Sequence, residues 1–254
     1  MSRALLTFKI GVMTNPNRQP VTLTARQRAR AEITAEILRA ARKQLATEGA
    51  GAISLRAVAR DLGMPSSGIY RYFKTRDELL TRLIIEAYES IGAAAEASQL
   101  PVAAADLSGR FAAACRAMRE WALDHPHEYS LVFGSPIPDY RAPEETVQAA
   151  ARAPAVLSAV LLEAGRRGGG ICRAPAPLSS SGRRAIEPAL DLFSHQVAAE
   201  QAQAGLMVWS GLFGAISFEL FGHFYGSVGQ TREDRDAFFE SCITSWADQA
   251  GISA

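Results

Sequence analysis

Apolar residues recur at helical spacing along most of the chain, and no segment shows a pattern typical of strands. The clearest repeat lies between residues 54 and 80. Four apolar residues stand at positions i, i+3, i+4 and i+7, which predicts a two-turn helix with one apolar face. They are Leu55, Val58, Ala59 and Leu62. Ile69 and Phe73 are four residues apart, as on the inner face of a second short helix. The pattern therefore predicts two adjacent short helices in an all-α protein.

A tight turn separates these two helices. Ser54 is placed to cap the first helix, and Gly63 is placed to end it. Pro65 fixes the backbone for a new first turn. The outward residues of the second helix are small or hydrogen-bonding and include a cation, which suits a helix in a DNA major groove. The alternative is an ordinary helical hairpin within a larger bundle.

Residues 33–80 resemble the N-terminal domain of the TetR family of bacterial transcriptional regulators. A long first helix ends at Glu48 and Gly49, Arg56 opens the second helix, and residues 69–73 (IYRYF) occupy the family's aromatic recognition stretch. Residues 74–80 (KTRDELL) match the start of the family's fourth helix. The inward residues of the first helix are Ile33, Ile37, Ala41 and Leu45.

The resemblance implies a homodimer whose two recognition helices enter successive major grooves of a pseudo-palindromic operator in double-stranded DNA. It does not imply a base preference, because Gly68 lacks the hydroxyl and methyl of the threonine that is common there in the family. Repressors are the commoner members, but activators also occur. The expected DNA-binding residues are Ser54, Arg56, Pro65, Ser66, Ser67, Gly68, Tyr70, Arg71, Tyr72, Lys74 and Arg76.

Charge is distributed unevenly over the 254 residues, although the net charge is only +1. Residues 1–80 contain 14 Lys and Arg against 6 Asp and Glu, whereas the rest contains 13 against 20. A basic head on an acidic body fits phosphate binding at one end. We expect a flexible arm at 1–23, a helix-turn-helix domain at 24–80 (the head) and a helical effector-binding and dimerisation domain at 81–254 (the body).

The cysteines indicate a reduced, cytoplasmic setting. Cys115, Cys172 and Cys242 are far apart and lack the paired spacing of zinc sites or disulfide frameworks. The first 20 residues are too mixed in polarity for a secretion signal. They are expected to form a disordered tail. The alternatives are that the true start is Met13, or that this region contributes Arg18, Arg26, Arg28 and Arg30 to phosphate or minor-groove contacts.

The body is nearly all helical in pattern. A fourth helix should run from 75 to about 97 and link the head to the body. Pro101 should begin a fifth helix, which Pro126 stops after His125. A short aromatic piece follows at 127–134, then a helix at 144–167 with a kink or break at Pro154, then a Gly-, Pro- and Ser-rich connection at 168–181.

Residues 205–224 are apolar on almost every side of a helix, and three interpretations compete. A membrane span needs ~20 apolar residues, but Glu219 and the glycines argue against one. A fully buried core helix is the second. The third is a helix buried by its own domain on one side and by a second subunit on the other. We favour the third, because the small residues Gly211, Gly214 and Ala215 permit close approach of helices.

The C-terminal half also resembles a TetR subgroup with a W-x-x-L-H-G signature, matched by Trp209, Leu212 and Gly214. Phe213 stands where that histidine would be. Family members dimerise through their last two helices and bind a small inducer inside the body, so the resemblance implies both here. The last helix is expected at 234–250. The expected interface residues are Gly211, Gly214, Ala215, Phe218, Phe239, Ile243 and Trp246.

Aromatic residues of the body suggest a pocket for a small apolar or aromatic effector. The candidate ligand-binding residues are Trp121, His125, Tyr129, Phe133, Trp209 and Phe213. The alternative is that these rings belong to the core, where aromatics at helical spacing usually lie. His125 and His127 lack the cluster of further ligands that a metal needs and more simply cap a helix end.

An enzyme is the rival class of function. The sequence contains no nucleophile elbow, no H-E-x-x-H motif and no phosphate-binding glycine loop after a strand. We therefore expect no catalytic residues, no cofactor and no metal. A membrane-associated helical protein is a third hypothesis, which depends only on the apolar run at residues 205–224.

Overall fold

The computed structural model describes residues 24–167, 178–192 and 198–252, so the predicted N-terminal arm lies outside the described residues. Within the described ranges every regular element is a helix, which confirms the predicted all-α class. A short 3-10 turn, Ala50–Ala52, follows the first helix. In chain order the α-helices are α1 Ala25–Glu48, α2 Leu55–Asp61, α3 Ser66–Ile69, α4 Arg76–Ala97, α5 Leu107–Asp124, α6 Pro126–Phe133, α7 Glu145–Ala150, α8 Arg152–Arg166, α9 Ser180–Ala185, α10 Glu187–Leu192, α11 Ala199–Leu220 and α12 Arg232–Gln249.

The head is built around one apolar core shared by α1, α2, α3 and the first half of α4. Ile37, Val58 and Ile69 are completely buried in it, as the helical spacing predicted. Leu83 and Ile84 of α4 also belong to this core. The head core thus extends past residue 80, where the sequence placed the boundary.

The body has its own core, formed mainly by α5, α8, α11, α12 and the second half of α4. Ala87 and Ile91 of α4 lie in this core, whereas Leu79 and Leu80 lie in the head core. One continuous helix therefore links the head to the body, as predicted for the fourth helix.

One predicted helix start and one predicted helix break are wrong in position. The fifth helix begins at Leu107 rather than Pro101, because the Asp106 side chain accepts a hydrogen bond from the Gly109 amide at 2.7 Å and caps the helix there. The helix predicted over 144–167 is divided into α7 and α8 at Ala151 rather than at Pro154. Pro154 lies in the first turn of α8, where its missing N–H costs no helical hydrogen bond.

The connection predicted for 168–181 is shorter than expected, and residues 168–177 lie outside the described residues. Ser180 and Ser181 already belong to α9, because the Ser179 hydroxyl accepts a hydrogen bond from the Gly182 amide at 3.1 Å and caps that helix. The helix that contains the apolar run begins before residue 205 and ends at Leu220, so its last predicted residues form turns. Among the residues described, no helix is long and apolar enough to cross a membrane.

Candidate DNA-binding surface and effector region

The connection between α2 and α3 is a tight turn centred on Gly63, whose φ of +63° lies in the left-handed region that glycine tolerates. The Gly63 amide donates to the Arg60 carbonyl at 3.0 Å, and the Met64 amide donates to the Ala59 carbonyl at 2.8 Å. These two hydrogen bonds satisfy carbonyls at the end of α2 and stop the helix. Gly63 therefore ends the first short helix in the way that its position predicted.

Helix α3 is short, and residues 70–72 continue it as a turn. Ile69 and Phe73 point into the head core and are 0% and 6% exposed. Tyr70 faces solvent, and 43% of it is exposed. The helix is thus held by its apolar face and presents its polar face to solvent, which is the arrangement that insertion into a groove needs.

Seven of the eleven predicted DNA-binding residues are exposed together on this part of the head. They are Arg56, Pro65, Ser66, Ser67, Tyr70, Arg71 and Lys74. Ser54, Gly68, Tyr72 and Arg76 are partly buried. Ser54 occupies the N-cap of α2 with extended backbone, but its side chain makes no capping hydrogen bond, so the predicted hydroxyl cap is wrong.

The Arg76 side chain holds the segment between α1 and α2. Its Nε donates to the Ile53 carbonyl, and its Nη2 donates to the carbonyls of Ala50 and Gly51, each at 3.1 Å. A planar guanidinium with fixed donors suits this clamp. Because these donors are engaged with backbone, we assign Arg76 mainly to positioning α2.

Arg30 of α1 makes a second clamp that the sequence did not reveal. Its Nη2 donates to the Arg71 carbonyl at 3.1 Å, and its guanidinium carbon lies 5.4 Å from the centre of the Tyr72 ring. The sequence instead suggested that Arg30 reaches DNA phosphate. The structure places it against the end of the recognition segment, 41 residues away in the chain.

Four of the six candidate effector residues form one aromatic cluster in the body: Tyr129, Phe133, Trp209 and Phe213. The Phe133 and Phe213 ring centroids are 4.2 Å apart, and those of Trp209 and Phe213 are 4.3 Å apart. The Tyr129 hydroxyl donates to the Phe213 carbonyl at 3.0 Å and lies 2.8 Å from the Ser217 hydroxyl. Burial raises the pKa of Tyr129 to about 12, although the hydrogen bond with Ser217 acts to lower it.

The other two candidates form a separate stacked pair. The Trp121 and His125 rings are parallel within 14°, with centroids 5.2 Å apart. Trp121 Nε1 donates to the Ser90 hydroxyl at 2.8 Å, and His125 Nδ1 lies 2.9 Å from the Trp121 carbonyl. His125 thus contacts the end of α5, as a residue at a helix end does. His127 is exposed, and the described residues contain no group of three metal-ligating side chains.

The residues expected at a dimer interface divide into two sets. Phe239, Ile243 and Trp246 are 3%, 4% and 9% exposed and lie in the body's own core, so they leave little surface for a second subunit. We therefore remove these three from the interface. Gly211 also faces inward, because a Cβ atom there would lie 2.7 Å from Trp246 Nε1.

Of the remaining candidates, Gly214 and Phe218 lie on the outer face of α11, whereas Ala215 packs against the body core. A Cβ atom on Gly214 would meet no heavy atom of the described chain within 4 Å, Ala215 is partly buried, and Phe218 is 50% exposed. Met207 is 53% exposed and lies seven residues before Gly214, hence on the same face. Phe238 of α12 is 38% exposed, and its ring contacts that of Phe224 at 5.2 Å. We call Met207, Gly214, Phe218, Phe224 and Phe238 the outer stripe.

Helix α6 connects the two cores. Tyr129 is buried in the body core, whereas Leu131, two residues later, is 7% exposed and belongs to the head core. Arg42 of α1 pairs with Glu86 of α4 and lies 3.6 Å from Glu128 of α6. A shift of α6 would therefore displace side chains in both domains.

Comparisons with known proteins agree with this geometry. Residues 37–83 match the family model described as bacterial regulatory proteins of the tetR family, and residues 111–246 match the model described as the tetracyclin repressor-like C-terminal domain. The chain is 37% identical over 205 residues to the HTH-type transcriptional regulator Rv1816 of Mycobacterium tuberculosis, which covers 78% of this chain and 85% of that protein.

Solved structures give the same result. The crystal structure of the regulatory protein SCO4313 is 35% identical, covers 88% of this chain and 98% of its own, and superposes with a TM-score of 0.68. The TetR family transcriptional regulator PfmR from Thermus thermophilus shares the fold at 20% identity, with a TM-score of 0.53 over 82% of this chain and 97% of its own.

The fold, the exposed helix-turn-helix and these relatives define a bacterial DNA-binding transcriptional regulator. The matches span both the head and most of the body. The chain belongs to the TetR family.

Proposed function

We propose that the protein binds a pseudo-palindromic operator as a homodimer and represses transcription until a small apolar or aromatic effector releases it. The observation that carries the DNA-binding part is the orientation of α3. Its apolar side is anchored by Ile69 and Phe73, while Tyr70 and Arg71 project from the basic head. Such a surface can enter a major groove without any change in the head core.

The outer stripe supports the homodimer. Exposed apolar side chains along one face of α11 and at α12 are costly in water and mark a surface that another protein covers. A second copy related by a two-fold axis would place the same stripe against itself. The dimer would then present two α3 helices, and contact with successive major grooves requires them to be about 34 Å apart.

Release by an effector is supported by the contacts of α6. Tyr129 and Phe133 of the aromatic cluster lie on the same short helix as Leu131, so a ligand that parts the rings of Phe133 and Phe213 would move a side chain of the head core. An effector releases DNA only if it binds the DNA-incompetent arrangement more tightly. The two free thiols described, Cys115 and Cys242, suit action in a reducing cytoplasm.

Genomic fragment selection by the purified full-length protein tests the DNA-binding part. We expect enrichment of fragments that share an inverted repeat. Arg56→Ala and Tyr70→Ala should each weaken binding to the selected operator by about 1–3 kcal/mol. Arg184→Ala, a change at an exposed cation of the body, is the matched control and should leave affinity unchanged. Wild-type affinity in both head variants would contradict the assignment.

The proposed release by an effector is tested by the thermodynamic linkage between effector binding and operator binding. Small aromatic compounds that quench Trp121 or Trp209 fluorescence should lower operator affinity, and saturating operator should weaken their binding by the same factor, typically about 5–150-fold. Phe133→Ala and Trp209→Ala should blunt the response and leave ligand-free DNA binding intact. Equal ligand affinity with and without operator, measured by calorimetry, would contradict release by that ligand.

A further inference from the structure

A cavity of about 550 Å³ lies at the junction of the head and the body. One wall is the end of α1 and the turn after it, which contribute Leu45 and Ala46. The opposite wall is α6 with the loop after it, and Phe221 also lines the space. We call this space the junction cavity. Its volume falls within the ~300–1,000 Å³ typical of small-molecule sites.

Three polar side chains in the junction cavity have no partner in the described chain. His127, Ser130 and Ser135 line the space, and none of the three side chains makes a hydrogen bond to another described residue. By contrast, the carbonyls of Ala50 and Gly51 on the opposite wall each accept a hydrogen bond from Arg76. The cavity thus offers one imidazole and two hydroxyls to a molecule that enters it.

The remainder of the lining determines the class of ligand. The described lining contains no Lys, Arg, Asp or Glu side chain, so a charged group would lose hydration without gaining a counterion. Leu45, Leu131 and Ile137 provide apolar walls, and Phe221, which is 45% exposed, provides an aromatic face. A flat, uncharged molecule with one hydrogen-bonding group fits these surfaces.

We propose that the junction cavity binds a neutral, planar aromatic molecule that carries a hydroxyl group. This site is separate from the aromatic cluster, because none of the four residues of that cluster lines the junction cavity. The two regions adjoin, because the Phe221 ring centroid is 6.3 Å from that of Tyr129. A molecule in the junction cavity would touch both domains and hold them in one relative orientation.

The test uses the full-length protein without DNA, so its outcome does not depend on operator binding. The probes are 2-naphthol and naphthalene-2-sulfonate. They share a ring system, but the first carries a neutral hydroxyl group and the second a negatively charged sulfonate group. In calorimetry we expect 2-naphthol to bind on the order of tenfold more tightly than the sulfonate. In NMR spectra 2-naphthol should shift the His127 ring protons.

Two variants fill the cavity from opposite walls. Ala46→Trp fills it from α1, and Ser135→Trp fills it from the exposed loop, where a larger side chain leaves the helices undisturbed. Each should weaken 2-naphthol binding on the order of tenfold. Ala93→Trp, at an exposed alanine of α4 outside the cavity lining, is the matched control and should bind as the wild type does.

The proposed site would be wrong if Ser135→Trp bound 2-naphthol with wild-type affinity, or if saturating 2-naphthol left the His127 resonances unshifted. Tighter binding of the sulfonate would overturn the proposed class of ligand. If circular dichroism shows that Ala46→Trp does not fold, the affinity of Ser135→Trp for 2-naphthol alone tests the proposed site.

Discussion

Arg119 of α5 and Glu219 of α11 form a buried ion pair that joins two helices across the body. Arg119 Nε and Nη2 donate to the two carboxylate oxygens of Glu219, both at 2.7 Å, and the side chains are 4% and 5% exposed. Arg119 Nη1 also donates to Asp236 of α12 at 2.7 Å. Burial acts to lower the pKa of Arg119, but its hydrogen bonds to both carboxylates outweigh burial and raise it.

We expect Glu219→Gln to lower the free energy of unfolding by about 3 kcal/mol, because it leaves a buried guanidinium without its main counterion. Urea unfolding at fixed protomer concentration measures this change. Glu240→Gln is the control, since the Arg116–Glu240 pair has the same two-point geometry but is about half exposed. That control should cost no more than about 1 kcal/mol.

If Glu219→Gln and Glu240→Gln lowered the free energy of unfolding equally, burial of the ion pair would not determine its contribution to stability. The double variant Arg119→Met, Glu219→Leu provides a second check. Because it removes both charges, we expect it to be more stable than Glu219→Gln.

Alkaline pH should destabilise the protein partly through Cys115. Burial raises the pKa of this thiol from 9.0 to about 12, so the folded state holds its proton more tightly than the unfolded chain does. The stabilisation is complete below pH 9 and is lost as the pH rises through about 9–12. Between pH 8 and pH 10, wild-type stability relative to Cys115→Ala should fall by about 1 kcal/mol in urea unfolding. A difference that does not change with pH would contradict the buried neutral thiol.

Lys74 should contribute to DNA affinity through phosphate alone. Its side chain is exposed next to the recognition turn, and its backbone amide donates to the Glu78 carboxylate at 2.7 Å. Lys74→Ala should reduce the slope of log affinity against log salt by about one, measured by fluorescence anisotropy. Lys43→Ala, at an exposed position near the far end of α1, is the control and should leave the slope unchanged. Equal slopes in Lys74→Ala and the wild type would rule out this phosphate contact.

Arg76 should contribute to stability rather than to the salt dependence. Arg76→Ala removes three hydrogen bonds to backbone carbonyls and should lower the free energy of unfolding by about 2 kcal/mol. Arg76→Lys should restore little of this loss, because an ammonium group lacks the planar fork. Lys74→Ala is the control for stability and should unfold at the wild-type urea concentration. Wild-type stability in Arg76→Ala would show that the clamp is weak in solution.

Gly214→Leu should weaken the proposed dimer without harming the protomer. No heavy atom of the described residues packs within 4 Å of the added Cβ, so we expect the larger side chain to point away from the protomer's own core and to overfill the proposed interface. Sedimentation velocity at micromolar concentration should show a larger fraction of monomer. Gly211→Leu is the contrasting variant, because its Cβ would lie 2.7 Å from Trp246 and should destabilise the protomer itself. A wild type that is monomeric at this concentration would contradict the dimer.

Local features of the head were predictable because they depend on neighbours in sequence. The spacing of Ile69 and Phe73 fixed which side of α3 is buried, and Gly63 fixed the turn before it. Capping by a side chain depends on the exact position of its oxygen relative to the backbone amides of the first turn, and the helix caps were predicted less accurately. Ser54 stands at the right position without donating or accepting a capping bond, whereas Asp106 caps a helix that was expected to begin at Pro101.

Periodicity also identified buried residues of the body without identifying what buries them. Phe239, Ile243 and Trp246 are apolar and helical in spacing, which fits a subunit interface and a domain core equally well. The structure places them in the core and leaves Phe218 at the surface. A hydrophobic pattern indicates that one face of a helix is buried. Which residues cover that face depends on how helices distant in sequence pack together.

The sequence by itself determined the helical class, the basic head with its two short helices, and the resemblance to TetR regulators, because periodicity, charge and turn residues are local properties of the chain. Only the tertiary structure decided that Arg30 and Arg76 hold backbone carbonyls, that Arg119 meets Glu219 across 100 residues, and that α6 contributes to both cores. These contacts join residues far apart in the chain, and their geometry exists only after the helices have packed.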